Sequence, residues 1–117
     1  MPYRLLIMEP TGQRHTRTEA EGRQLYDRML SFGAELKSRG QLLAMESLRM
    51  ADATRVQVRQ GERRLIDGPF SEAKELVGGF FLVDVPTRED ALALAAECPA
   101  AQWCTIEVRS LGPCYEL

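Results

Sequence analysis

The apolar positions fall into segments of differing periodicity. Tyr3 to Met8 (Tyr-Arg-Leu-Leu-Ile-Met) has apolar side chains at consecutive positions, which predicts a strand apolar on both faces. Glu9 to Arg17 is polar and holds Pro10-Thr11-Gly12, a loop with a turn. Thr18 is placed as a helix N-cap, with Glu19 and Glu21 in the first turn, where carboxylates suit the helix dipole. The helix runs to about Arg39, its stripe of Leu25, Met29, Phe32 and Leu36 lies on one face, and Gly40 stands where a C′ glycine belongs. Gln41 to Leu48 predicts a second strand. Thr54–Arg59 and Arg63–Ile66 predict a hairpin turning at Gln60-Gly61-Glu62. Asp67-Gly68-Pro69 is turn chemistry, with Ser71 expected to cap a short helical turn through Glu75. Gly78-Gly79 signals a bulge or a close backbone approach into a strand over Phe80–Val85. Thr87 caps a second helix with buried stripe Ala91, Leu94, Ala95 and Cys98, stopped by Pro99. Thr105–Leu111 closes the chain as a strand.

The order is β-α-β, an inserted hairpin, then β-α-β. It predicts an α+β fold, a ferredoxin-like sandwich with both helices on one face of a mainly antiparallel sheet. That arrangement conflicts with the pattern. Two helices cover one face, yet Leu5 to Met8 and Phe80 to Val83 show no polar alternation. The chain has no spare element for the other face, so the expectation is a homodimer through the sheet faces.

Length and composition narrow the functions. A chain of 117 residues is expected to form a single domain over 1–117. A net charge of −2 gives no global field for nucleic acid or an anionic membrane. The arginines around the hairpin (Arg49, Arg55, Arg59, Arg63, Arg64), with Arg14 and Arg17 of the 9–18 loop, offer either a basic patch for an anionic ligand or nucleic acid or a solvated hairpin face; overall acidity and the lack of interleaved aromatics favour the solvated face. No run suits a membrane span and no signal-peptide pattern opens the sequence, so a cytoplasmic protein is expected. Cys98, Cys104 and Cys114 have no metal-like spacing, and the one histidine, His15, is remote. Free thiols, no metal site and no cofactor are expected.

The stretch Asp67-Gly68-Pro69-Phe70-Ser71-Glu72-Ala73-Lys74-Glu75, with Gly78-Gly79-Phe80, resembles the signature of the YCII-related proteins that carry a DGPF motif. The opening strand, Glu46-Ser47-Leu48 and Ile106-Glu107-Val108-Arg109 extend the resemblance over nearly the whole chain. It implies a dimeric α/β barrel, an acid site between the sheets and, because some members lie beside sigma-factor genes, a regulatory alternative. The wider group pairs a helix-borne histidine with an aspartate. Here the helix offers Tyr26 and His15 lies in a loop, so this chain departs from that dyad.

Asp67 and Glu46 are the candidate catalytic carboxylates. Asp67 would sit at the mouth of an intersubunit cavity, or else brace its turn by accepting backbone N–H bonds. Glu46 lies late in an apolar strand and needs a partner or a wet cavity; Arg109 or Arg4 would serve equally well in a structural ion pair. Phe70, Glu72, Lys74, Tyr26 and Arg109 are the candidate substrate-binding residues, with Phe70 better suited to plug the core or the dimer interface than to stack on a ligand and Glu72 with Lys74 equally suited to a solvated pair. Two functions are carried forward. One is a small-molecule enzyme or binding protein using carboxylate acid/base chemistry; the other is a non-catalytic module that meets a partner such as a transcription regulator.

Overall fold

The computed structural model describes residues 1–117. Strand β1 (Pro2–Pro10) leads through a 3-10 turn at Gln13–Thr16 into helix α1 (Glu19–Ser38) and strand β2 (Leu42–Ser47). Strands β3 (Thr54–Arg59) and β4 (Glu62–Asp67) form the hairpin. Then come β5 (Glu75–Asp84), helix α2 (Arg88–Glu97), a second 3-10 turn at Pro99–Gln102 and β6 (Thr105–Ser110). The four-stranded sheet has the order β2-β5-β1-β6 with antiparallel pairing throughout, and β3-β4 is a separate sheet. The α+β architecture, compatible with a ferredoxin-like fold, agrees with the sequence order.

Local chemistry accounts for the elements. Thr18 caps α1 by accepting from the Glu21 N–H, and the Glu21 carboxylate accepts in return from the Thr18 N–H at 2.8 Å, a complete capping box. That bond holds the Glu21 carboxyl below its usual range. Gly40 follows α1 at φ 71°, where a side chain would be strained. Phe32 and Leu36 of the predicted stripe are buried, and Phe32 meets Phe81 edge-on at 5.2 Å. Ala91, Leu94, Ala95 and Cys98 complete the core with Tyr3, Leu5, Ile7, Val83 and Val85.

Three boundaries differ from expectation, and one cause links them. β1 continues to Pro10 and β5 begins at Glu75 because their ladder resumes beyond a bulge, with Met8 opposite Val77, Glu9 opposite Leu76 and Pro10 opposite Glu75. The helical turn expected from Ser71 does not form. Only a single bond, from the Ala73 N–H to the Phe70 carbonyl at 3.1 Å, closes a turn there, and the carbonyls of Ala73 and Lys74 accept from the Thr11 hydroxyl and N–H.

Both faces of the sheet are apolar, as the pattern required. Tyr3, Leu5 and Ile7 are buried beneath the helices, whereas Leu6, Met8, Phe80 and Leu82 are half-buried on the open face. The hairpin stands away from the body, with Val56 61% exposed and Val58 and Leu65 similar. The radius of gyration is 16.0 Å, against about 13 Å for a compact domain of similar length.

Candidate functional site

A concavity of about 650 Å³ lies between α1 and the end of the sheet. Its volume falls in the range of small-molecule sites. Ile7, Met45 and Phe81 line the sheet side, Leu25, Tyr26, Met29 and Leu30 the helix side, and Trp103 one wall. Polar groups concentrate toward the strap between β1 and α1, where Glu9, Arg14, Arg17 and Thr18 line it.

Glu9 follows Tyr3, Leu5 and Ile7 on the core face of β1, since alternate residues of a strand share a face. It is the one buried charged residue, at 8% exposure. Arg14 Nε donates to Glu9 Oε2 at 2.8 Å, while Nη1 and Nη2 donate to the carbonyls of Leu48 and Gly78 at 2.8 and 3.2 Å. One guanidinium thus ties the strap to β1, β5 and the end of β2. The chain offers no hydrogen bond to the other carboxylate oxygen, Oε1, and that oxygen is not sealed from solvent. Gly78 makes this pair fit: a Cβ there would lie 2.7 Å from Glu9 Oε1 and 3.2 Å from Arg14 Nη2. A Cβ on Gly79 would come within 2.6 Å of the Glu46 carbonyl on β2. The expected bulge and close approach at Gly78-Gly79 are both present.

The strap has further anchors. Thr11 binds Ala73 and Lys74, and Gln13 Nε2 donates to the Trp103 carbonyl at 2.6 Å while its Oε1 accepts from Cys104 Sγ at 3.4 Å. Burial, then the negative charge of Glu9, pushes the Cys104 thiol up to about 11. At neutral pH it is protonated, which disfavours a thiolate nucleophile there.

The sequence candidates divide among three places. Tyr26 and Glu46 line the cavity. The Glu46 side chain, one position beyond core-facing Met45 and opposite Phe80, belongs to the open sheet face. Arg109 is on that face too, directly across from Arg4. Asp67, Phe70, Glu72 and Lys74 form the corner after the hairpin and do not line the cavity. Asp67 is exposed and accepts from Thr54 Oγ1 at 3.0 Å. Phe70 is 5% exposed beneath the Arg55 guanidinium, 3.7 Å from its ring centre, and Arg55 also pairs with Glu72 at 3.8 Å. Lys74 supplies its carbonyl to Thr11 and leaves its side chain exposed. No contact joins Asp67 to Glu46.

Sequence reasoning missed Glu9 and Trp103, and it placed Arg14 and Arg17 only in a diffuse basic patch with the hairpin arginines, not at a cavity. The signal for Glu9 was the period of two from Tyr3 through Ile7, which puts a carboxylate at the next core position once β1 extends past Met8. His15 is exposed on the strap.

No helix is long and apolar enough to cross a membrane. A search of curated proteins found no match to the chain. The YCII-related domain matches residues 3–114. With all but a few terminal residues matched, the chain belongs to the YCII-related family.

Proposed function

We propose that this protein binds and transforms a small organic molecule in the cavity between α1 and the sheet, by acid/base chemistry without a cofactor. The observation that carries this reading is Glu9: a buried carboxylate with one oxygen fixed by Arg14 and the other free, beside an apolar cavity. A positioned carboxylate able to reach a ligand proton is the minimum that general-base catalysis requires. Tyr26 stands on the opposite wall as a second proton carrier. Asp67 and Glu46, the carboxylates singled out by sequence, take other parts in this proposal: Asp67 braces its turn and Glu46 faces a second copy of the chain.

That second copy belongs to the proposal. Leu6, Met8, Phe80 and Leu82 need a cover, and Arg4 and Arg109 lie side by side among them. Arg4 Nε is buried without a hydrogen-bond partner, its guanidinium 4.6 Å from the centre of the Phe80 ring. Two adjacent cations on an apolar face favour a partner that brings carboxylates, and Glu46 and Glu107 of a second copy would do so. Leu82→Glu should therefore convert a dimer to a folded monomer in analytical ultracentrifugation; a wild type that sediments as a monomer would remove this part.

The projecting hairpin favours a second reading. Its exposed Val56, Val58 and Leu65, flanked by arginines, suit an interaction module meeting a protein such as a transcription regulator. One experiment separates the two. A chemically diverse library is screened by thermal shift, and hits are tested for turnover with wild type and Glu9→Gln. The cavity reading expects hits, with turnover at least a hundredfold lower in Glu9→Gln, roughly the contribution of a general base. Undiminished turnover in that variant would exclude Glu9 as the base, and no hits at all would favour the interaction module.

A further inference from the structure

The cavity wall carries three arginines, and their partners differ. Arg14 is committed to Glu9 and two carbonyls. Arg23 pairs with Glu19 at 3.4 Å, one turn away on α1. Arg17 has neither an ion pair nor a hydrogen bond within the chain, yet is half-buried, its stem passing 3.9 Å from the place a side chain on Gly22 would occupy. The N-terminus of α1 opens nearby, but Thr18 and the carboxylates of Glu19 and Glu21 already answer its positive end. Arg14 and Arg23 are thus each paired by contact, whereas Arg17 feels the Glu21 carboxylate only at a distance and keeps its guanidinium donors free. The body of the cavity is apolar or aromatic, with Tyr26 and Met29 from α1, Phe81 from the sheet and Trp103, while Glu46 and Ser47 are the further polar residues of the lining.

We infer that the ligand of this cavity is a small aromatic or branched aliphatic carboxylate, its anionic group held by Arg17 and its apolar body lodged between α1 and the sheet. This rests on the small-molecule reading above and adds the chemical class. A guanidinium matches a carboxylate with two parallel N–H donors, and an apolar wall strengthens that attraction by excluding water. A ligand of neutral head would give the free donors of half-buried Arg17 a weaker acceptor than a carboxylate does. A larger polyanion would meet Glu9 and Glu19 at the same mouth and be repelled.

The protein carries its own probe. Trp103 is the single tryptophan and lines the cavity, so its emission reports occupancy directly. Benzoate, phenylacetate and 4-methylpentanoate are titrated against benzamide as the neutral isostere of benzoate, on wild type, Arg17→Gln and Arg17→Lys. The expected result is saturable change with a carboxylate and about tenfold weaker binding of benzamide, the usual worth of one charge-assisted hydrogen bond. Arg17→Gln should erase that preference and Arg17→Lys retain part of it. Arg17 makes no contact whose loss would unfold the chain, and unchanged melting temperatures would verify that. Benzamide binding as tightly as benzoate, or a preference that survives in Arg17→Gln, would overturn the carboxylate assignment while leaving a small-molecule cavity in place. Silence of Trp103 to every probe would also overturn it, and the library screen would then decide the cavity reading separately.

Discussion

Gly78→Ala is the smallest change that tests how the cavity floor is built. The added methyl would sit 2.7 Å from Glu9 Oε1 and 3.2 Å from Arg14 Nη2, distances at which something must move. The β5 backbone is locked between β1 and β2, so the carboxylate must yield and its bond to Arg14 break. Removing one partner from a well-buried pair costs about 3–5 kcal/mol. The Arg14 side chain is 37% exposed, however, and water can replace part of what it loses. A loss of about 2 kcal/mol is the reasonable expectation, equivalent to roughly 8 °C in melting temperature for a domain of this size. The assay is urea and thermal unfolding of a double-mutant cycle with Glu9→Ala. If the methyl clashes with Glu9, Gly78→Ala should cost little in the Glu9→Ala background, a coupling of about 1–2 kcal/mol. Gly22→Ala is the control of opposite sign. Only Arg17 Cδ, at 3.9 Å, lies near its Cβ position, and removing glycine from a helix interior should stabilise by about 0.5–1 kcal/mol. Equal stabilities of wild type and Gly78→Ala, or additive effects in the cycle, would refute the view that Gly78 exists to admit the Glu9–Arg14 pair.

Phe70→Ala removes a buried ring outside the main core, beneath Arg55, so it should free the hairpin and the Asp67 corner while leaving the four-stranded sheet intact. Hydrogen exchange should speed up over Thr54–Asp67 with Leu5 and Phe81 amides unchanged; uniform acceleration across the sheet would contradict this. The Cys104 thiol, raised from 9.0 to about 11 chiefly by burial, gives an alkaline signature. The folded state holds that proton when the unfolded chain has released it, so stability is full below about pH 9 and falls as pH rises toward 11. Cys104→Ala should flatten that limb, and near pH 8 iodoacetamide should modify exposed Cys114 well before Cys104 or buried Cys98.

Much of the fold was legible because periodicity and capping are local. Thr18 with Glu21, the Leu25–Leu36 stripe, Gly40 and the Ala91–Cys98 stripe each stand where a short window of sequence places them. The apolar pattern on both sheet faces was legible too, since Leu6 and Phe80 remain half-exposed on the face away from the helices. The cavity was not, because it depends on register. A glutamate after Met8 looks like the start of a polar loop until the β1–β5 ladder resumes beyond its bulge and turns Glu9 inward. Arg14 finds Glu9, Leu48 and Gly78 across separations that no spacing rule connects. The Asp67–Phe70 corner drew attention for its turn chemistry, and its contacts are those of a brace: Thr54 on Asp67, Arg55 on Phe70, and Thr11 on the carbonyls of Ala73 and Lys74. Through Thr11 the corner holds the strap that presents Arg14, so its influence on the cavity is one of position.

Amide chemical-shift mapping distinguishes small-molecule binding beside Glu9 from binding at the Asp67 corner. A ¹⁵N-labelled wild-type sample is titrated with hits from the library screen, and the perturbed residues are placed on the fold. Shifts are expected over a contiguous set including Glu9, Arg17, Gly22, Tyr26, Gly78 and Trp103, with the hairpin and its corner silent. Perturbations centred on Asp67, Phe70 and Glu72, or on Leu6, Phe80 and Leu82 of the open face, would contradict binding beside Glu9.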